Sequence, residues 1–333
     1  MFLPNTYIAA LLLMILTMLC WGSWANTLKL CPRFRFQLFY WNYALGLVAA
    51  ALVYGLTAGS LGPVEPSFWA DLTHLSGSAI LFAVASGVVF NLANLLIVAA
   101  IDVAGLAVAF PIGIGLALVV GAISNYLIAP AGNPLLLFGG IALVTVAILL
   151  DAAAYRARET SATATTTRGI VLSLVGGLLM GGWYPLIAAA MKNTPAHTGS
   201  GPYATALIFS LGVLVSTVPF NLFLMAKPLD GKPPVSGSDY WKAPIGWHLA
   251  GVLGGVIWML GAVANFAASA SGQHVGPAVS YSIGQGATLV SACWGVFIWR
   301  EFSGAPGKAR LLLVLMFVFF LAGLGSIAMA PLY

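Results

Sequence analysis

The chain has 333 residues, of which 61% are hydrophobic and 6% charged, and its mean hydropathy is +1.00. Soluble domains carry about 25% charged residues, so the composition excludes an ordinary water-soluble protein. The net charge of +5 is scattered over short loops with no basic, aromatic-interleaved surface, which sets nucleic acid aside as a partner.

A membrane-spanning helix needs about 20 apolar residues. Breaking the apolar runs at charges, Pro and Gly/Ser clusters predicts ten spans: 7–28, 37–58, 79–101, 104–128, 135–150, 169–191, 203–225, 247–270, 277–299 and 310–330. The first run has no basic leader and is too long for a cleavable signal, so it reads as a span. Asp102-Val103 alone divides the third and fourth. The predicted fold class is an all-α integral membrane protein of ten transmembrane helices in a cell (inner or plasma) membrane. Cys20, Cys31 and Cys293 form no CxxC pair and read as small core residues.

Lys and Arg concentrate on the cytoplasmic side of short loops. With the N-terminus outside, Lys29, Arg33, Arg35, Arg156, Arg158, Arg168, Lys227, Lys232, Lys242, Arg300, Lys308 and Arg310 all fall inside, and Lys192 alone falls outside. Both termini are then expected outside, together with the loop of residues 59–78 that carries Glu65, Asp71 and His74.

The Thr-rich segment 152–168 divides the chain into a first five-span half, 1–151, and a second, 169–333. An odd number of spans per half reverses insertion, so likeness between the halves implies inverted repeats. At an offset of 171 residues Asn94 matches Asn265, Gly105 matches Gly276, Ile112-Gly113 matches Ile283-Gly284, and Gly115 matches Gly286. Pro111 loosens backbone hydrogen bonding within span four, which makes a hinge or a static kink there.

Asp102, Asp151 and Glu301 fall at predicted helix ends and read as solvated loop carboxylates; His74, His197, His248 and His274 are loop or boundary residues. There is no HExxH helix, no paired intramembrane Asp, and no Ser with a buried His, which points away from an enzyme and from a metal or cofactor. With no carboxylate in spans one and six, the expected substrate is uncharged. Asp102 is the coupling candidate, because its repeat partner Gln273 offers similar hydrogen bonding without charge.

The spans do carry neutral polar and aromatic side chains. Trp24 and Asn26 lie at the inner end of span one, and Asn91 and Asn94 one turn apart in span three. Phe110 lies in span four, Trp183 and Tyr184 in span six, and Trp258 and Asn265 two turns apart in span eight. Tyr281, Gln285 and Thr288 follow at i, i+4, i+7 in span nine. Such groups serve as interhelical glue or an interfacial belt. Alternatively they bind a polar solute, with carboxamides and phenols hydrogen-bonding it and Trp faces stacking on it around one central cavity.

Ten spans, five-plus-five inversion and three segments resemble the drug/metabolite transporter superfamily, in the branch of glucose/ribose porters, rhamnose symporters and ureide permeases. The segments are Cys20-Trp21-Gly22-Ser23-Trp24, Ala109-Phe110-Pro111-Ile112 and the run from Leu289 to Glu301. The resemblance implies secondary transport of a polar, uncharged metabolite by alternating access, with or without protons. A monosaccharide, ureide, nucleobase or nucleoside suits the side chains named. An exporter of lipid or drug-like solutes, and a receptor or scaffold without a transport cycle, are the competing readings. A cysteine placed at Ser161 is expected to react with a membrane-impermeant maleimide only in permeabilised cells; reaction in intact cells would invert the topology.

Overall fold

The computed structural model describes residues 1–158, 167–193, 198–229, 231–271 and 275–333. His197, Gln273, His274 and residues 159–166 of the expected linker lie outside the described residues. The described chain is helical throughout, with no strand, and nine of its helices are long and apolar enough to cross a membrane. It is an all-α integral membrane protein.

Helix α1 is Tyr7–Ser23, continued by a tight 3-10 stretch, Trp24–Leu30; α2 is Phe36–Leu56, α3 Gly77–Ala104 and α4 Leu106–Ile128. Next come α5 (Pro134–Arg158), α6 (Thr167–Met191), α7 (Pro202–Ala226) and α8 (Ile245–Ala270). The ninth predicted span is broken into α9a (Pro277–Gly284), α9b (Ala287–Cys293) and a π turn, Trp294–Ile298; α10 is Gly307–Met329. Local chemistry sets the starts. The Thr6 and Ser76 hydroxyls accept from the third backbone amide beyond them, and Asn133 accepts from the Leu135 and Leu136 amides. Pro opens α5, α7 and α9a, where its missing N–H costs nothing.

Three boundaries differ from the sequence reading. The divider of α3 from α4 is Gly105, at φ 76°, rather than Asp102, which sits within the last turn of α3. Glycine takes this backbone region without a Cβ clash, so the chain reverses there. Helix α5 runs eight residues beyond 150, through Asp151 and Tyr155, so the expected linker begins inside a helix. Asp151 is only 4% exposed, not a solvated loop carboxylate. Finally, α4 passes Pro111 unbroken, whereas the break falls at the matching Ile-Gly-x-Gly of span nine. There Gly286 N bonds Ile283 O at 2.9 Å and Thr288 N bonds Gln285 O at 3.2 Å, a tightened i to i−3 turn.

The helices cross reciprocally. α1 packs on α8 and α3 on α6; α2 packs on α8 and α3 on α7; α4 packs on α6 and α9b on α1; α5 packs on α10 and α2 on α7. Glycines set the closest crossings. A methyl on Gly255 would lie 2.1 Å from the Tyr43 carbonyl oxygen, and one on Gly46 2.2 Å from that of Val252. The other half repeats this: Gly87 faces the Phe209 carbonyl at 2.2 Å and Gly212 the Val84 carbonyl at 2.5 Å. Gly140 and Gly323 meet each other's carbonyls at 2.6 and 2.8 Å where α5 crosses α10. Small residues permit such approach where lipid offers no hydrophobic drive between helices.

Burial is reversed in polarity relative to a soluble protein. Leu127, Leu135 and Val215 face outward, while Asn91, Thr217, Asn221 and Asn265 are fully buried. Asn91 is helix glue: its amide reaches the Val213 carbonyl and the Ser216 and Thr217 hydroxyls of α7 at 2.8–3.2 Å. Gly255→Ala is expected to lose at least ~1–3 kcal/mol by overpacking. Gly139→Ala, whose added methyl meets nothing within 4 Å, should lose none. Thermal unfolding of both variants in detergent checks the contrast.

Candidate functional site: a vestibule above a buried polar network

At the bundle end that carries the N-terminus, the ends of α4, α6 and α8 and the starts of α7 and α9a leave a cavity of about 750 Å³. Its rim carries Glu65, Asp71, His74 and Lys192, and its floor Ala188, Ser269 and Pro277. The rim charges serve the backbone. Asp71 accepts from the Gly201 amide at 2.8 Å, capping α7, and Lys192 Nζ donates to the Ile128 carbonyl at 2.7 Å, closing α4. Burial raises the Asp71 carboxyl above its usual range, opposed by the Gly201 hydrogen bond.

The floor residues Ala188, Ser269 and Pro277 each stand four positions from a member of a buried polar network: Tyr184, Asn265 and Tyr281. Four residues of helix rise about 6 Å, so three helices lead from the cavity floor to the network within one turn. The Tyr184 hydroxyl donates to Asn265 Oδ1 and lies 3.0 Å from Ser280 Oγ. Asn265 Nδ2 donates to the Ser280 carbonyl at 2.9 Å. The Tyr281 hydroxyl is shared between the Ala117 and Met180 carbonyls at 3.0 and 3.2 Å, and a methyl on Gly121 would lie 2.3 Å from its ring.

Beside the network stands a cage of rings. Trp21 stacks on Trp258 at 5.5 Å and 15°, Phe209 stacks on the same indole at 5.7 Å, and Phe90 approaches it at 4.5 Å. Trp183 sits among Trp21, Phe90, Tyr184, Phe209 and Phe266. Among the described residues its indole N–H is buried without a partner, as are the Tyr43 hydroxyl and Ser282 Oγ, and, away from the cage, Oδ1 of Asn91, Asn125, Asp151 and Asn221. Orphan polar atoms in a native interior call for an explanation, and a bound solute supplies one.

The structure brings Trp183, Tyr184, Asn265 and Tyr281 together and keeps Trp258 against Trp183. The remaining residues singled out from sequence are distributed elsewhere. Asn94 donates to the Tyr40 hydroxyl at 3.1 Å, and Trp24 packs on Tyr43 at 4.7 Å, in a second group on α2. Phe110 packs in the other hydrophobic cluster, with α5 and α10. Gln285 is half-buried at the helix break, Thr288 is buried in α9b, and Asp102 is exposed at the end of α3. Neither these residues nor Trp183, Tyr184, Asn265 and Tyr281 line the vestibule itself. Sequence reading missed Ser280, Tyr40, Phe90 and Phe209, which periodicity does not separate from ordinary core.

The opposite end is tied across α1, α5 and span nine. Glu301, following span nine, meets Lys29 Nζ from the end of α1 at 2.9 Å and the Tyr155 hydroxyl from α5 at 2.9 Å. Arg158 donates to its backbone carbonyl at 2.7 Å. Trp294 Nε1 donates to Ser23 Oγ at 2.8 Å, and Trp299 Nε1 to Asn26 Oδ1 at 2.6 Å. Glu301 is therefore an engaged carboxylate, not a loop one. Half-burial alone would raise its carboxyl, but hydrogen bonds from Lys29 and Tyr155 and the charges of Lys29 and Arg158 hold it below the usual range.

A multi-helix membrane protein open at one end, latched at the other, and polar between is built to handle a small molecule within a bilayer. The comparisons agree. The family model for ureide permeases matches residues 39–169 and 156–331, and the chain belongs to this family. Ureide permease 1 of Arabidopsis thaliana is 25% identical over 378 residues, covering 94% of each chain. Ureide permease 2 of the same plant is 24% identical, covering 97% of each. A solved crystal structure shares the fold at a TM-score of 0.60 and 13% identity, over 94% of this chain and 95% of its own. The protein is thus a membrane transporter for a small-molecule substrate.

Because the Glu301 carboxyl is held low, its latch contributes fully above the ordinary Glu range and is lost as pH falls through the lowered value. Glu301→Gln should cost roughly 1–3 kcal/mol at neutral pH, and its deficit against the parent chain should shrink on acidification, read by thermal unfolding in detergent.

Proposed function

We propose that this chain is a secondary transporter that carries a ureide across the membrane by alternating access between two inverted five-helix halves, residues 1–151 and 169–333. The observation that carries the reading is the vestibule that stops one helical turn above Tyr184, Asn265 and Tyr281 while the far end is latched. A ureide presents urea-type carbonyls flanked by N–H groups. The neutral donors and acceptors of Tyr184, Asn265 and Ser280, with the orphan Trp183 N–H, match that alternation without a charge. Relatives named ureide permeases, aligned along nearly the whole chain, support the substrate class.

Support for the inverted halves comes from the reciprocal crossings. Tyr43 and Gly46 of α2 meet α8 as Phe209 and Gly212 of α7 meet α3, and Gly140 meets Gly323 on itself. Such pairing is what an in-plane pseudo-two-fold axis produces. Twelve of thirteen basic residues lie at the latched end, which supports that end as cytoplasmic and the vestibule as open to the outside of the cell. Asp102 stands at the latched end, so a proton held there would act on the gate's side of the bundle and not within the polar network.

Reconstituted protein should take up radiolabelled allantoin saturably, with ribose, glucose and uridine as competitors. Tyr184→Phe, which removes one hydroxyl from the network, should raise half-saturation by about 5- to 150-fold, the equivalent of 1–3 kcal/mol, at an unchanged yield of folded protein. Absence of saturable allantoin uptake by the folded parent chain would sink the ureide reading.

A further inference from the structure

Between span nine and α10, at the latched end, a groove of about 490 Å³ opens on the outer surface of the bundle. Its walls are apolar: Phe297, 65% exposed, and Val314, 59% exposed, stand beside Leu313 and Phe317. Its mouth is cationic, with Arg300, Arg310 and the Ser303 hydroxyl. Among the described residues neither guanidinium has a hydrogen bond or an ion pair, and the nearby carboxylate, Glu301, is engaged by Lys29 and Tyr155. Arg300 also holds φ at 51°, the one non-glycine residue in the left-handed region among the described residues. A side chain kept in that region needs surroundings that hold it there, and its turn is braced by Ser303 N on the Arg300 carbonyl at 3.0 Å.

We propose that this groove binds one anionic phospholipid of the leaflet at the latched end. Its phosphate is held by Arg300 and Arg310 with Ser303 donating, and an acyl chain lies along Phe297, Val314 and Phe317. Charge complementarity selects this occupant. Two unpaired guanidiniums at the rim of an apolar, lipid-facing groove match a phosphodiester attached to a hydrocarbon chain, and free phosphate would leave the apolar walls uncovered. A zwitterionic lipid brings its own cation to the same two arginines. The site is distinct from the vestibule and the polar network, and it stands whether or not the chain carries a ureide. Phe302 belongs to both the groove and the latch, where its ring meets Tyr155 at 5.0 Å and Arg158 at 5.1 Å, so an occupied groove steadies the latched end.

The test uses the full chain purified in detergent, with phosphatidylglycerol, phosphatidylcholine and inorganic phosphate as probes. Phosphatidylglycerol should raise the melting temperature of the parent chain by several degrees beyond phosphatidylcholine, and phosphate alone should not. Arg300→Gln with Arg310→Gln should weaken phosphatidylglycerol binding roughly thirty-fold. Lys308→Gln, which removes an exposed charge outside the groove, should retain it. Native mass spectrometry of the parent chain, with the two lipids in competition, gives a reading even where the double variant folds poorly. Equal retention of both lipids, an equal effect of phosphate alone, or undiminished phosphatidylglycerol binding by the folded double variant would overturn the proposal.

Discussion

Every polar group inside this bundle has to find its partner inside the bundle, because hydrocarbon offers none. That constraint decides where the Asn, Ser, Thr and Tyr side chains lie. Asn91 spends its amide on α7, Asn221 donates to the Gln37 carbonyl at 2.7 Å, and Thr17 donates to the Gly261 carbonyl at 2.9 Å. Each bond ties two helices distant in sequence and fixes their rotation about their own axes. The glycine crossings fix the separation. Together they leave few ways to pack the helices, and the vestibule is the space left between the ends of α4, α6 and α8 and the starts of α7 and α9a.

Against that background the network under the vestibule differs from simple glue. Asn91 answers to one neighbouring helix, whereas Tyr184, Asn265 and Ser280 answer to one another from α6, α8 and α9a. The network joins three helices at one point, where a glue residue such as Asn91 joins two. The ring cage beside it keeps water out, which strengthens hydrogen bonds formed within.

Much of this was legible in the sequence. Hydropathy located nine long helices within a few residues, the end of α5 excepted, because the need for about 20 apolar residues is nearly independent of the partner helices. It failed where the determinant was conformational. Gly105 ends α3 through a positive φ, and neither its polarity nor Asp102's reports that. The break at Gln285-Gly286 is invisible to hydropathy, and the same Ile-Gly-x-Gly runs straight in α4. There the methyl positions of Gly113 and Gly115 have room, whereas those of Gly284 and Gly286 press on Trp21 and Met18 of α1. For the candidate site, residue type pointed to Trp183, Tyr184, Asn265 and Tyr281, which the fold brings together. It also admitted Asn91, Asn26 and Phe110, because helix glue, gate contact and core are written in the same side chains.

The two ends of the molecule are held together by different chemistry. At the vestibule end, charges cap helices: Asp71 serves α7 and Lys192 serves α4, each on a backbone group of an element whose terminus it completes. At the latched end the charges meet each other across α1, α5 and span nine, so moving any one of these elements breaks an ion pair or a charged hydrogen bond. The 3-10 stretch after α1, which carries Lys29, and the π turn after α9b, which precedes Glu301, lie in the two segments of that latch, where regular α-helical hydrogen bonding is interrupted. The broken α9 lies between, with its first half in the polar network and its second against α1. One short, interrupted element therefore joins Ser280, the partner of Asn265, to the segment that carries the Glu301 latch.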